Sequence, residues 1–396
     1  MSSDSPRPSD RPLRILLVAR VFWPNIGGIE RHVQWLAEHL VARGHVCDVV
    51  TLNRSFEDNS SYPAYERLGG VNVWRVPFAG STRYPLAPRV ARFAARYDVV
   101  HVHAIDFLAD WMVATKAWHR RPVVLSTHGG FFHTAFASNA KKLWFHTMTR
   151  AMLRGVDRLV YTSDQDEELF RAVTDKGVIL RNGVDLAPWA PLGRNPVEGR
   201  WVTIGRVDTH KGLSNLVKTL AAVRDRDARP FRAEVLGPEV VPGLVAGLER
   251  ERDGLKLTNQ LIFRGKVSQE ALVDAVDTAD LGLFPSEYES FGISVVEAMG
   301  AGVVPVLNDI RAFRYFIDEG KNGFLTRFAD PEAAAAAILR ARDLGARRAE
   351  VGAAARAKAS TYAWENVVTE LEAVYRDVVA HAPPRAAALA DASPIK

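Results

Sequence analysis

Short, nearly continuous apolar runs recur along the first half of the chain at residues 15–21, 46–52, 71–76, 99–103, 123–127 and 158–162. Between them lie longer segments in which apolar residues return at helical spacing, as in residues 30–42 and 107–118. Continuous apolarity marks strands buried on both faces. Strands alternating with helices predict a parallel sheet covered by helices on both sides. The rhythm breaks over residues 182–198, which are rich in Pro, Gly and Asn and are expected to form a linker. A second series follows at 201–205, 232–236, 261–265, 281–284 and 303–307. The pattern therefore predicts an α/β protein of two doubly wound, Rossmann-like domains facing each other across a cleft. The first spans residues 13–181 and the second 199–362. A last helix at 363–380 is expected to pack back on the first domain. Residues 1–12 and 381–396, rich in Ser, Asp, Pro and Ala, are expected to be disordered.

Composition narrows the class without naming it. A chain of 396 residues with 47% hydrophobic and 24% charged residues has material for two cores. Its one cysteine, Cys47, excludes an internal disulfide framework and a cysteine-ligated structural zinc, and is expected in the core. Residues 13–22 could pass for a signal sequence, but Arg14 and Arg20 interrupt the apolar run, and no segment approaches the roughly 20 apolar residues of a membrane span. Charge is uneven: residues 1–196 carry 25 Lys and Arg against 18 Asp and Glu, and residues 197–396 carry 26 against 28. A basic first half suits an anionic surface or an acidic substrate.

The candidate chemistry lies where strands end. Glu289-Ser-Phe-Gly-Ile-Ser-Val-Val-Glu297 follows an apolar, Pro-terminated strand and opens a helix, which places Glu289 on the loop and Glu297 on the helix. Loops at the carboxyl end of parallel strands border the ligand crevice of α/β folds, and helix N-termini attract phosphate. Two carboxylates beside such N–H groups suit hydroxyls, and a nucleoside diphosphate sugar offers both groups. Phe291, Gly292 and Ile293 would bring backbone to the donor. Gly205-Arg-Val-Asp-Thr-His-Lys-Gly212 closes the first strand of the second series and supplies two cations, Arg206 and Lys211, for a diphosphate. Gly27-Gly28 leaves room for a phosphate or acceptor before a helix, or else forms a tight turn needing positive φ. Its spacing is not that of dinucleotide-binding proteins.

His128, in Ser126-Thr-His-Gly-Gly, ends another strand and is placed to meet a sugar hydroxyl, whereas His101 and His103 are expected to be satisfied core or edge residues. Asp164 and Asp166 have metal-ligand spacing, but Ser163 before them and acidic residues after them predict a helix cap, so no metal is expected. Over residues 141–158, Lys142, His146, Arg150, Arg154 and Arg158 recur every four positions opposite Trp144, Phe145, Met148 and Met152. That pattern fits a helix on an anionic bilayer, with Lys142, Trp144, Phe145 and Arg150 facing the membrane, and equally a helix with one face in the core.

Gly27-Gly28, Gly205-Arg206 with Lys211, and Glu289-Ser-Phe-Gly with Glu297 together resemble the retaining glycosyltransferases of family four, which have the GT-B fold, over roughly residues 14–380. Ser81-Thr-Arg-Tyr-Pro-Leu-Ala-Pro88, Val100-His-Val-His-Ala-Ile-Asp-Phe107 and the stretch from Ser126 to Ser138 resemble the α-mannosyltransferases of xanthan and acetan assembly. The resemblance implies transfer of mannose from GDP-mannose to cellobiose on a polyprenyl diphosphate, with an α-1,3 linkage. It implies a location on the cytoplasmic face of the inner membrane, and no nucleic acid is expected as a partner. It also implies that His128, Ser163, Lys211, Glu289 and Glu297 are sensitive positions. His128, Lys211 and Glu289 would be catalytic; Arg206, Lys211, Glu297 and the glycine loops would bind the donor. Attack from the front face and a covalent route through Glu289 both remain open. So do another family-four donor or acceptor, an epimerase or phosphorylase on a similar scaffold, and a non-catalytic binder.

Overall fold

The computed structural model describes residues 11–25, 27–56, 58–82, 84–128, 150–189, 193–289 and 291–383. The expected disorder of residues 1–10 and 384–396, and Lys142, Trp144 and Phe145, lie outside them. The chain divides into two compact units, Met1–Gly183 together with Trp364–Lys396, and Val184–Ala363.

The strands of the first unit are β1 (Arg14–Ala19), β2 (Val46–Leu52), β3 (Tyr65–Leu68), β4 (Val71–Val76), β5 (Ala79–Ser81), β6 (Tyr84–Leu86), β7 (Val99–His103), β8 (Val123–Ser126), β9 (Arg158–Tyr161) and β10 (Gly177–Ile179). Eight of them form one sheet in the order β10-β9-β8-β7-β1-β2-β4-β3, and β5 and β6 make a separate hairpin. All neighbours in the sheet are parallel except β3 and β4. Alternation along β1 sends Leu16 and Val18 into one core and Ile15, Leu17 and Ala19 into the other, so the strand is buried on both faces. Each of the Leu, Ile and Val side chains contributes about 1.5–3 kcal/mol by leaving water. Cys47 lies in the second of these cores. The helix Trp364–Ala380 completes that core with Trp364, Val367, Val368, Leu371, Tyr375 and Val378.

Chain order reverses beside β1, whose neighbours are β2 on one side and β7 on the other. Such a switch point leaves a crevice outside the carboxyl ends of the two strands. Here those ends are Ala19 and His103, which pair in register.

The second unit has β11 (Arg200–Ile204), β12 (Arg232–Leu236), β13 (Leu261–Gly265), β14 (Leu281–Phe284), β15 (Val304–Asn308) and β16 (Phe324–Thr326). They form one parallel sheet in the order β13-β12-β11-β14-β15-β16. Its switch point falls between β11 and β14, so the loops after Ile204 and Phe284 flank one crevice. Val184 and Trp189 are buried in a core of this unit, so the start of the segment expected to be a linker is packed structure.

Several local expectations are corrected. The helix expected over residues 107–118 breaks at Thr115 into Phe107–Ala114 and Lys116–His119, where the Thr115 hydroxyl bonds the Trp111 carbonyl at 2.7 Å. The basic periodicity over 141–158 does not mark one helix, because the described helix Arg150–Gly155 stops before Arg158 opens β9. Arg150 itself reaches the Ala172 carbonyl at 3.4 Å.

Candidate active site

In the second unit the site is built by two loops that touch through backbone. After β11 the chain turns at Gly205, passes exposed Arg206, and makes a short turn over Thr209–Lys211 before Gly212 starts the helix Leu213–Arg226. Gly212 has φ of +61°, and a Cβ there would lie 2.3 Å from the Pro285 carbonyl oxygen, so this position takes only glycine. Pro285 belongs to the loop after β14. Two hydrogen bonds also hold the second loop: the Glu287 N–H to the His210 carbonyl at 2.9 Å, and the Asn215 amide, on the helix, to the Glu287 carboxylate at 2.9 Å.

That contact sets Lys211 against Glu289. The Lys211 ammonium and the Glu289 carboxylate form an ion pair, and the Ser286 hydroxyl donates to the same carboxylate oxygen at 3.1 Å. Asn308, at the end of β15, holds the loop by donating to the Ser286 carbonyl at 3.0 Å. The ammonium lies over Gly205, where an added Cβ would sit 3.5 Å from Nζ. Both side chains of the pair remain about one-fifth exposed and are therefore open to a ligand.

Gly292 begins the helix Ile293–Ala301 with φ of +103°, and a Cβ there would meet Phe313 at 2.7 Å. Glycine brings no capping side chain, and the Val295 N–H of the first turn bonds the Gly292 carbonyl at 3.0 Å. Phe291, expected among the donor-binding residues, has its ring packed on Phe316 and Tyr362 at 5.4 and 5.5 Å. It anchors the loop and offers a ligand only backbone. Ile293 is exposed, and Glu297 is half-buried on the next turn.

In the first unit, histidines gather at the carboxyl edge of the sheet. His103 ends β7, His128 follows β8 with φ of +50°, and Ala104 has φ of +79°. Two non-glycine residues in the left-handed region mark a strained edge of the sheet. His103 Nδ1 and His128 Nε2 are hydrogen-bonded at 3.0 Å. His32, from the helix Gly28–Ala42, packs edge-on against His128 at 4.9 Å and lies 5.0 Å from Trp364. His101 is satisfied on both nitrogens, by the Tyr375 hydroxyl at 2.6 Å and the Ser126 hydroxyl at 2.8 Å. Gly27 and Gly28 lie at the start of that helix, and neither has positive φ, so the alternative of a strained tight turn does not hold. A side chain at Gly28 would meet open space.

Burial keeps all four imidazoles neutral. It lowers His128 to about 4 and His101 to about 3, and it holds His32 and His103 well below their ordinary value. Because the folded values lie under the unfolded value of 6.5, the unfolded chain binds more protons below that pH. The stability these groups contribute is full above about pH 6.5 and is lost as pH falls toward 4. Urea unfolding followed by tryptophan fluorescence at pH 7.5, 6 and 5 should show a falling midpoint, with a slope approaching about 1.4 kcal/mol per pH unit for each proton taken up. A midpoint unchanged to pH 5 would mean that the cluster is hydrated.

Among the described residues, the side chains that could together ligate a metal are His32, His103 and His128, whose ligating atoms lie within 4.8 Å of one another. Among the described residues no carboxylate joins them there, and His103 and His128 spend one nitrogen each on the other. Asp164 and Asp166 are engaged elsewhere: Arg181 binds both Asp164 oxygens at 3.1 and 2.9 Å, and Asp166 accepts from Thr127 at 2.7 Å and Thr162 at 3.1 Å. Ser163 caps their helix by accepting from the Asp166 N–H at 3.2 Å.

Sequence reading missed His32, the pairing role of His103, and the contributions of Ser286 and Asn308. The i, i+2 spacing of His101 and His103, which puts both on one face of a strand, was the available signal.

Two doubly wound units, each with polar groups gathered at a switch point, make up the GT-B architecture. The fold matches the crystal structure of a glycosyltransferase from Rickettsia africae with a TM-score of 0.73 at 17% identity, covering 92% of this chain and 99% of that one. It also matches sucrose-phosphate synthase from Thermosynechococcus elongatus with a TM-score of 0.69 at 20% identity, covering 93% and 100%. Residues 26–188 match the family described as Glycosyltransferase Family 4, and residues 192–358 match Glycosyl transferases group 1. The GDP-mannose:cellobiosyl-diphosphopolyprenol alpha-mannosyltransferase of Xanthomonas oryzae pv. oryzae is 36% identical over 93% of this chain and 97% of its own length. The protein of the same name from Komagataeibacter xylinus is 32% identical over 97% and 98%. The chain belongs to glycosyltransferase family four and is an enzyme of that class.

Proposed function

We propose that this chain is a retaining, metal-independent α-mannosyltransferase that moves mannose from GDP-mannose to cellobiose on a polyprenyl diphosphate, forming an α-1,3 linkage in exopolysaccharide assembly. The observation that carries this reading is the 36% identity, over nearly the whole of both chains, to a relative named for that donor and acceptor. The Lys211 and Glu289 loops at the second unit's switch point support the chemistry.

In this reading Lys211, Arg206 and the first-turn N–H groups at Ile293 hold the diphosphate. They stabilise the charge that grows as the bond between sugar C1 and phosphate oxygen breaks. The electron pair leaves with the nucleoside diphosphate, the acceptor hydroxyl oxygen bonds to C1, and its proton passes to the departing phosphate. Glu289 binds sugar hydroxyls and stabilises positive charge at C1, Glu297 accepts from ribose, and neutral His128 donates to a sugar or acceptor hydroxyl. Ser163 acts indirectly, by fixing the helix it caps. Gly27 and Gly28 let substrate approach backbone.

The acceptor is a membrane lipid, and the first half of the chain is basic. Among the described residues no helix is long and apolar enough to cross a membrane. A peripheral enzyme at the cytoplasmic face of the inner membrane fits these properties, with anionic lipid as its surface.

The test is transfer of radiolabel from GDP-mannose, UDP-glucose or UDP-galactose to cellobiosyl-diphosphoprenyl lipid, with and without EDTA. The expected result is labelled trisaccharide-lipid from GDP-mannose alone, unchanged by EDTA. Label from another donor would transfer the reading to a different hexose, and no product would overturn the acceptor. Loss of activity in EDTA would refute metal independence and direct attention to the three histidines rather than to Asp164 and Asp166, whose oxygens are already used.

A further inference from the structure

The bond between His103 and His128 has a direction that proton counting assigns. Both rings are neutral, so each carries one proton. His103 Nδ1 faces His128 Nε2 at 3.0 Å, while His103 Nε2 is buried and has no hydrogen-bond partner among the described residues. If the His103 proton were on Nε2, a buried N–H donor would be left unpaired, the more costly of the two kinds of orphan. With the proton on Nδ1, the orphan is an acceptor lone pair, and the N–H points at His128. His128 Nε2 must then be the acceptor, and the proton of His128 sits on Nδ1.

The surroundings hold this arrangement. The His103 ring centroid lies 4.1 Å from that of His101, 5.2 Å from that of His128 and 5.7 Å from that of His32, so imidazoles pack around it. His101 is fixed in turn. Its Nδ1 is hydrogen-bonded to the Tyr375 hydroxyl at 2.6 Å and its Nε2 to the Ser126 hydroxyl at 2.8 Å. The C-terminal helix, through Tyr375, thus fixes the His101 ring that packs against His103.

We propose that His103 is a positioning residue for the transfer reaction: by donating from Nδ1 to His128 Nε2, it holds His128 in the tautomer and orientation that present Nδ1–H to the substrate. The inference rests on the reading that His128 touches the donor sugar or the acceptor. His103 contacts neither and acts only through His128.

Two measurements test it. In wild-type protein labelled with 15N-histidine, long-range 1H–15N correlation should show His128 protonated on Nδ1 and unprotonated on Nε2 at pH 7.5; the opposite tautomer would overturn the proposal. In the transfer assay, His103→Leu should lower kcat by about tenfold or more with little change in KM for the donor. His103→Asn, whose amide can donate from nearly the place of Nδ1, should restore most of kcat and the His128 signature. A merely structural role for His103 would make rescue follow thermal stability instead of tautomer, which would overturn the proposal. His128→Ala is the reference: if it leaves kcat unchanged, the role of His128 in transfer fails and this inference with it. If it lowers kcat while His103→Leu does not, only the positioning role fails.

Discussion

Lys211→Ala and Glu289→Ala should each lower transfer by about 10²–10³-fold, the usual effect of removing a group aimed at transition-state charge, while the protein unfolds at nearly its wild-type temperature. The two side chains form an ion pair with each about one-fifth exposed, and pairs of that kind contribute about 1 kcal/mol or less. Each single variant leaves the partner within reach of water, and Glu289 keeps the Ser286 hydroxyl. The loss should therefore lie in kcat, because the charge that needs Lys211 is the one that develops on the leaving phosphate. Lys211→Arg should keep the charge but lose the fit over Gly205, and so recover only part of the rate. Thermal unfolding alongside steady-state kinetics checks this. A drop in Tm that accounts for the lost activity would remove both residues from the site.

Gly212→Ala should destabilise the second unit by about 3 kcal/mol and also reduce transfer in the protein that remains folded. Its φ of +61° disfavours any side chain, and the added methyl would stand 2.3 Å from the Pro285 carbonyl oxygen. Backbone on both sides must move, since neither atom belongs to a flexible side chain. The movement separates the Lys211 turn from the Glu289 loop, and a displacement near 1 Å at a site can cost about 10²-fold. Urea unfolding and kinetics on the folded fraction measure the two effects separately. Gly243→Ala is a useful control, since it also has positive φ but meets nothing within 4 Å and stands outside the loops of the site. Equal effects from the two variants would show that backbone strain alone, rather than the loop contact, governs Gly212.

The fold class was legible because its signal is local. Runs such as the one containing Leu16, Leu17 and Val18 are apolar on both faces only when a sheet is covered on both sides, and the chain repeats that pattern in two series. The position of Glu289, Lys211 and His128 was legible for a related reason: each follows a strand of those series, and parallel strands put their carboxyl ends on one edge. The antiparallel β3 was less visible, being four residues long and only half-buried. The helix over residues 107–118 was overextended because periodicity carries no sign of where the backbone leaves helical geometry, here at Thr115.

The amino-acid sequence by itself determined the alternation of strand and helix, the two-unit α/β class, the placing of charged residues at strand ends and the likeness to family four, all of which depend on composition within short windows. Tertiary structure decided which strand ends become neighbours. Strand order put β11 beside β14, and so Lys211 against Glu289 across 78 residues of chain. It put β7 beside β8, and so His103 against His128, with Tyr375 brought from the far end of the chain to hold His101. The physical reason is that a hydrogen bond or a carbonyl contact depends on distances of a few tenths of an ångström between residues far apart in the chain. Only packing of the whole core sets those distances.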